Sequence, residues 1–202
     1  GAADFDRFAA ALPDDVLLLV DEAYVDFARR ADFPDSLAWV ARRPGTLVVR
    51  TFSKIAGLAG LRVGFGIGDP ELVGYLERAR HPFNVNLLAE AAAVAALDDH
   101  DHLDRTVRGN AAGIDFLRRE LGAIGIETWP SEANFLLAKP GPGTYDRLLR
   151  EGIIVRPLGG FGMLLEPAQG PVEHMAVELD AQAEAFGGRN ELSRWQEPAV
   201  LY

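Results

Sequence analysis

Residues 48–66 read VVRTFSKIAGLAGLRVGFG: an apolar, β-branched run, a Thr-Phe-Ser-Lys turn, and a Gly-rich connection leading to Arg62. Leu47, Val48 and Val49 carry the strand signal, and open α/β sheets place ligand chemistry in the turns at the carboxyl ends of their strands. A lysine is ordinarily a solvated surface charge. Lys54 is set apart by its company, because Thr51 and Ser53 bring hydroxyls beside the amine and Arg62 brings a guanidinium eight residues on. The stretch gathers a nucleophilic amine, hydroxyl donors and a planar cation suited to phosphate.

Upstream, residues 16–20 form a continuous apolar run, as expected for a parallel strand buried on both faces, and DEAY follows at 21–24. Residues 35–42 read as a short helix, 44–45 as a turn and 47–50 as the next strand. A right-handed βαβ unit of this kind brings Asp21 and Lys54 to the same edge of a sheet. Before it, Phe5, Phe8, Ala9 and Leu12 mark one face of an amphipathic helix.

Downstream, 61–67 reads as a further strand and 70–79 as a helix with Leu72, Leu76 and Ala79 inward. The segment RHPFNVN at 80–86 interrupts it. Residues 87–97 are alanine-rich and apolar nearly all round, which predicts burial. Leu103, Val107, Ile114, Leu117 and Leu121 recur at helical spacing over 101–121, a helix long enough to bridge two domains. Gly109 and Asn110 weaken it, so the boundary is placed there. Beyond it, 125–129, 133–138 and 153–156 read as strands and 143–151 as a helix, an α+β pattern. Residues 157–171 are rich in Gly and Pro, Val172, Met175, Ala176, Leu179, Ala183 and Phe186 mark a last helix, and 187–202 read as a loose tail.

With 202 residues, 49% of them hydrophobic, the chain has enough apolar surface for one large or two small domains. The net charge of −10 and pI near 4.8 argue against a nucleic-acid partner. No apolar run approaches the roughly 18–20 residues that span a bilayer, so no membrane partner is expected. Zero cysteines fit a reducing compartment, and the cytoplasm is the expected location. The run DDHDH at 98–102 imitates a metal site but reads as solvated charge at a helix start, so no metal is expected. His81 and His174 read as structural.

DEAYVDF at 21–27 and TFSKIAGLAGLRVGFGIG at 51–68 resemble the fold-type I pyridoxal-phosphate aminotransferases, most closely the histidinol-phosphate aminotransferases. The resemblance extends through PFNVN at 82–86, EANF at 132–135 and GIIVRPL at 152–158. It implies an α/β fold, with residues 1–108 as the carboxyl-terminal part of a PLP-transferase, aspartate aminotransferase-like large domain with a mainly parallel sheet. Residues 109–186 would form a small α+β carboxyl-terminal domain, and 187–202 the tail. It further implies that Lys54 bonds the aldehyde of pyridoxal 5'-phosphate and moves a proton, that Asp21 pairs with the ring nitrogen and that Tyr24 meets the ring hydroxyl. Thr51, Ser53 and Arg62 would bind the cofactor phosphate. Arg156 would meet a phosphate on the substrate, and Asn134 would belong to the substrate site. The implied partners are an amino-acid-type substrate, a 2-oxo acid and a second copy in a homodimer.

Two features depart from that family pattern. The family's Gly-rich phosphate turn, ring-stacking aromatic and Asn-Pro segment lie in an amino-terminal half that these 202 residues do not contain, so the chain reads as a fragment with impaired turnover. About a dozen residues after Arg156, where the family carries a carboxylate-gripping arginine, residues 163–171 read MLLEPAQGP. Neither Gln169 nor His174 replaces a planar fork matched to a carboxylate. Aromatic amino-acid aminotransferases and threonine-phosphate decarboxylases share the same lysine. A different class of reading is a non-catalytic remnant that binds a partner through the apolar surface left by the missing half.

Overall fold

The computed structural model describes residues 1–158 and 175–178. The chain divides into two compact units, one from Gly1 to Arg108 and one from Gly109 onward. In the first, helix α1 (Ala2–Ala11) precedes strand β1 (Leu18–Asp21), a 3-10 turn at Val25–Phe27, helix α2 (Leu37–Arg42) and strand β2 (Thr46–Thr51). A second 3-10 turn at Ala59–Leu61 leads into strand β3 (Gly64–Gly68), followed by helices α3 (Pro70–Ala79) and α4 (Leu87–Asp98).

These strands lie in the order β1-β2-β3. β1 and β2 are parallel, with Leu18 opposite Thr46 and Asp21 opposite Val49. β3 runs antiparallel to β2, with Thr51 opposite Gly64. The sheet is therefore mixed rather than mainly parallel. Parallel pairing needs a crossover connection, usually a helix, and residues 52–63 between β2 and β3 carry only a 3-10 turn. The expected strand at 61–67 starts later because Arg62 adopts a left-handed conformation, φ 55°, which breaks extended pairing. Gly64 is required where β3 begins: a Cβ there would stand 2.6 Å from the carbonyl oxygen of Arg50.

Successive strand residues face opposite sides of a sheet. One side presents Leu18, Glu22, Thr46 and Val48, all buried. The other presents Leu17, Leu19 and Asp21, all exposed. The first strand is thus covered on one face only, not on both, because among the described residues nothing packs over Leu17 and Leu19. The same limit applies to α4. Ala89 and Ala93 are buried against Val63, Phe52 and Leu61, whereas Leu87, Leu88, Val94 and Leu97 are exposed, so the all-round burial expected of this helix is absent. In α3, Leu72 and Val73 are half-buried, while Leu76 and Ala79 face solvent instead of the interior.

Asn86 starts α4 by accepting from the Ala89 amide at 2.9 Å, and its Nδ2 donates to the Leu61 carbonyl at 3.4 Å. Asn86→Ala should cost about 1 kcal/mol, the usual worth of such a cap. Urea titration of the variant against the parent measures this, and an unchanged midpoint would show the cap to be dispensable.

Helix α5 (His100–Ala123) passes from the first unit into the second. Its inward positions follow the expected spacing, with Ile114 at 1% exposure and Leu103, Val107, Leu117 and Leu121 half-buried. The second unit continues with β4 (Glu127–Thr128), β5 (Phe135–Lys139), α6 (Thr144–Arg150), β6 (Arg156–Pro157) and β7 (Met175–Glu178). Its described strands form an antiparallel sheet in the order β4-β5-β7-β6. Residues 175–178 are a strand between β5 and β6, not part of the expected helix at 172–186: ladder pairing on both sides overrides the helical spacing of a short segment. The expected strand at 153–156 is reduced to Arg156–Pro157 after a turn at Gly152, whose φ is 75°. The rest of that helix, the Gly/Pro-rich stretch beyond residue 158 and the tail at 187–202 lie outside the described residues.

Candidate active site

The parallel register of β1 and β2 sets Asp21 and the Thr51–Lys54 turn at the same carboxyl edge of the sheet. Asp21 is the last residue of β1. Its Oδ1 accepts from the Ala23 amide at 3.0 Å, a short local turn that leaves the carboxylate exposed. Tyr24 then opens the 3-10 turn, and Lys54 Nζ lies 5.2 Å from the centroid of its ring. Attraction between an ammonium and a ring face is worth about 0.5–1 kcal/mol when partly exposed, enough to hold the amine over the tyrosine. Sequence reading placed Asp21, Tyr24 and Lys54 together, and the fold brings them to one edge.

The lysine turn is closed by its own backbone. Thr51 Oγ1 accepts from the Ser53 amide at 3.0 Å and donates to the Val63 carbonyl at 3.5 Å. The Phe52 amide donates to the Val63 carbonyl at 3.2 Å, and the Leu58 amide to the Phe52 carbonyl at 3.0 Å. The Gly57 amide donates to the Lys54 carbonyl at 3.1 Å, and the glycine φ of 69° is a conformation that side chains disfavour. Ile55, buried under the turn, anchors it. Ser53 is half-buried beside the lysine. Arg62 is exposed just before β3, and its Nη1 donates to the Ala59 carbonyl at 2.8 Å.

Asn134 and Arg156 belong to the second unit. Asn134 is buried in a turn shaped by Ser131, whose Oγ donates to the Phe135 carbonyl at 2.5 Å and accepts from the Ala133 amide at 3.1 Å. Asn110 Nδ2 donates to the Ala133 carbonyl at 3.1 Å. Arg156 is exposed on the edge strand β6, opposite Ala176. Sequence reading passes over Ser131 and takes Asn110 only as a helix-weakening residue, because their hydrogen bonds depend on a turn conformation rather than on a motif.

Sequence reading also missed Glu22 and Arg50. Glu22 is 7% exposed, accepts from Arg50 Nε at 2.8 Å and receives the hydroxyl of Ser36 on its other oxygen. The stretch DEAY contained the glutamate, but nothing in a sequence distinguishes a buried carboxylate from a solvated one. Near the run at 98–102, Asp99 Oδ1 accepts from the His102 amide at 3.0 Å at the start of α5. Among the described residues no group of three acidic, histidine or cysteine side chains is arranged for a metal, and no helix is long and apolar enough to cross a membrane.

The model of the class I and II aminotransferases matches residues 4–173. Histidinol-phosphate aminotransferase 1 of Nitrosococcus oceani is 48% identical over 163 residues, 79% of this chain and 44% of that protein. The corresponding protein of Thiobacillus denitrificans is 45% identical over 198 residues, 95% of this chain and 52% of its own length. Among solved structures, the histidinol-phosphate aminotransferase of Sinorhizobium meliloti in complex with pyridoxal-5'-phosphate superposes with a TM-score of 0.73 at 29% identity, covering 90% of this chain and 49% of that one. An αβ sheet carrying a lysine turn at its carboxyl edge, with a match over most of its length, makes this chain a member of the class I and II aminotransferases. It spans about half the length of the curated relatives it matches.

Proposed function

We propose that this chain is the lysine-bearing part of a pyridoxal-phosphate-dependent aminotransferase that moves an amino group between an amino-acid-type donor, best matched by histidinol phosphate, and a 2-oxo acid. The observation that carries the reading is Lys54 Nζ held 5.2 Å over Tyr24, with Asp21 at the neighbouring strand end. The donor set fits the cofactor: an amine for an aldehyde, an exposed carboxylate for a ring nitrogen, and hydroxyl and guanidinium groups near one turn for a phosphate. Bound there, pyridoxal phosphate supplies an electron sink for the substrate carbon.

The chain's own residues divide the remaining work. Lys54 supplies the nucleophilic amine and carries the proton, and the Tyr24 ring beneath restricts where the amine swings. Asp21 would supply the negative charge that keeps the ring nitrogen of the bound cofactor protonated. Thr51 shapes the turn through the Ser53 amide, which leaves Ser53 and Arg62 as the groups with most freedom to meet the phosphate. Asn134 and Arg156 would recognise the substrate, the guanidinium suiting a phosphate on it. The homodimer belongs to the same proposal and rests on family membership.

The chain contains two lysines, Lys54 and Lys139, so covalent capture is easily mapped. Mixing the protein with pyridoxal phosphate, reducing with borohydride and sequencing the labelled peptide should give an adduct at Lys54 in clear excess over Lys139; absence of that preference would sink the reading. Asp21→Asn should retain the Lys54 adduct while lowering transamination roughly 10²–10³-fold, the cost of removing one charge-stabilising group. Normal turnover in that variant would remove Asp21 from the role given to it. A second reading, attachment to a partner, is favoured by the exposed Leu87, Leu88, Val94 and Leu97 of α4. Sedimentation of the protein alone tests it: a strict monomer argues against attachment to a further copy.

A further inference from the structure

We infer that the ion pair between buried Glu22 and half-buried Arg50, locked by Ser36, is a positioning device that fixes Asp21 relative to the lysine turn from the reverse face of the sheet; this rests on the site reading proposed above. Asp21 is opposite Val49 in the parallel register, so Asp21, Val49 and Thr51 share one face. Glu22 and Arg50 then share the opposite face with Leu18 and Val48. Each member of the pair is the immediate chain neighbour of a site residue: Glu22 follows Asp21, and Arg50 precedes Thr51.

The contacts are extensive for a pair at a strand end. Arg50 places both Nε and Nη2 at 2.8 Å from Glu22 Oε2. Ser36 donates its hydroxyl to Oε1. Ser36 precedes α2, where a serine hydroxyl usually caps the helix, yet here it makes no cap and is committed to Glu22 at 2% exposure. The Glu22 amide meanwhile donates to the Val49 carbonyl at 2.9 Å, extending the ladder one residue past β1. Backbone and side chain of one residue therefore tie β1, β2 and the start of α2 together directly behind the site.

Stability alone is a poor reason for such a pair, because well-packed apolar residues of similar volume serve as well or better. What an ion pair adds is direction: two N–H groups of one planar guanidinium, both donating to Glu22 Oε2, meet that oxygen in few geometries. Strand ends are where pairing frays, and of the two residues whose separation must suit one ligand, Asp21 is the last of β1 and Lys54 lies three residues past the end of β2. Glu22, Arg50 and Ser36 touch no ligand in this scheme, so they position without reacting.

The experiment compares the parent with Glu22→Gln, Arg50→Lys and Ser36→Ala, measuring thermal unfolding, the rate of borohydride-trapped labelling at Lys54, and the same rate at Lys139 as an internal reference. Labelling is done well below each variant's unfolding midpoint. Glu22→Gln and Arg50→Lys should slow Lys54 labelling roughly 10- to 100-fold, as small misplacements of reacting groups do, with Lys139 unaffected. Ser36→Ala, which leaves the charges paired and keeps the fold accessible, should slow it by a smaller factor in the same direction. If the parent labels Lys54 selectively and all three variants match it, the positioning role is wrong and the site reading stands. If Lys54 and Lys139 slow together, the pair is merely structural and the inference is overturned. Lack of Lys54 selectivity in the parent overturns both.

Discussion

Lys54→Arg should abolish borohydride-stable incorporation of pyridoxal phosphate at residue 54 while leaving the fold intact. Arginine keeps a cation that can lie over Tyr24, so the ring contact of about 0.5–1 kcal/mol is retained, but its guanidinium stays protonated and is no nucleophile. The change isolates the chemistry of the amine from its charge. Lys54→Ala removes both and should also abolish the adduct. Peptide mapping reads the result directly, since Lys139 is the other lysine of these 202 residues. An adduct that persists undiminished in Lys54→Arg must sit elsewhere, and the lysine turn would then be a structural loop.

The legible part of the site was the part built from local chemistry on regular topology. Asp21 and Lys54 could be placed at one edge because a short βαβ connection has a single hand, and the parallel register of β1 and β2 has that form. Tyr24 followed from its distance along the chain from Asp21. What could not be read was how each hydroxyl and charge is spent. Thr51 closes its own turn, Ser36 leaves its helix to serve Glu22, and Arg50 is drawn in behind the sheet. Those choices are decided by which neighbours lie within about 3 Å, and sequence spacing carries no such information.

The fold shows the same division. Helices with a strong period, α5 above all, fall where their apolar residues recur. Leu17, Leu19, Leu87 and Leu88 were expected inside because they are apolar, yet they are exposed. Hydrophobicity says that a surface gains by being covered, not what covers it. Residues 175–178 were assigned to a helix because Met175, Ala176 and Leu179 fit its spacing, but a four-residue segment takes the structure of its partners, and β5 and β6 are both strands.

Arg43→Met should destabilise the fold by about 1–3 kcal/mol, as expected when part-buried carbonyls lose a charge-assisted donor. Arg43 directly follows α2 as its C-cap, with its side chain 10% exposed. Its guanidinium donates to the carbonyls of Leu12 at 3.2 Å and Val16 at 2.6 Å, and also to that of Pro13. These three belong to the connection between α1 and β1, which has little regular structure of its own to satisfy them. Methionine matches the aliphatic stem and donates nothing, so the carbonyls lose their partner while the packing volume is kept. Asp14, the carboxylate paired with the guanidinium among the described residues, is 3.7 Å away and fully exposed, and a surface pair of that kind contributes little. Asp14→Asn should therefore leave stability within about 0.5 kcal/mol of the parent. Urea unfolding of the two variants separates the alternatives. A large loss in Arg43→Met beside a negligible one in Asp14→Asn assigns the stabilisation to the carbonyls, and comparable losses would assign it to the ion pair. Because β1 enters the sheet directly from this connection, the same loss should loosen the strand that ends in Asp21, so hydrogen exchange at the Leu18 and Glu22 amides, both held by β2-side carbonyls, should accelerate in Arg43→Met.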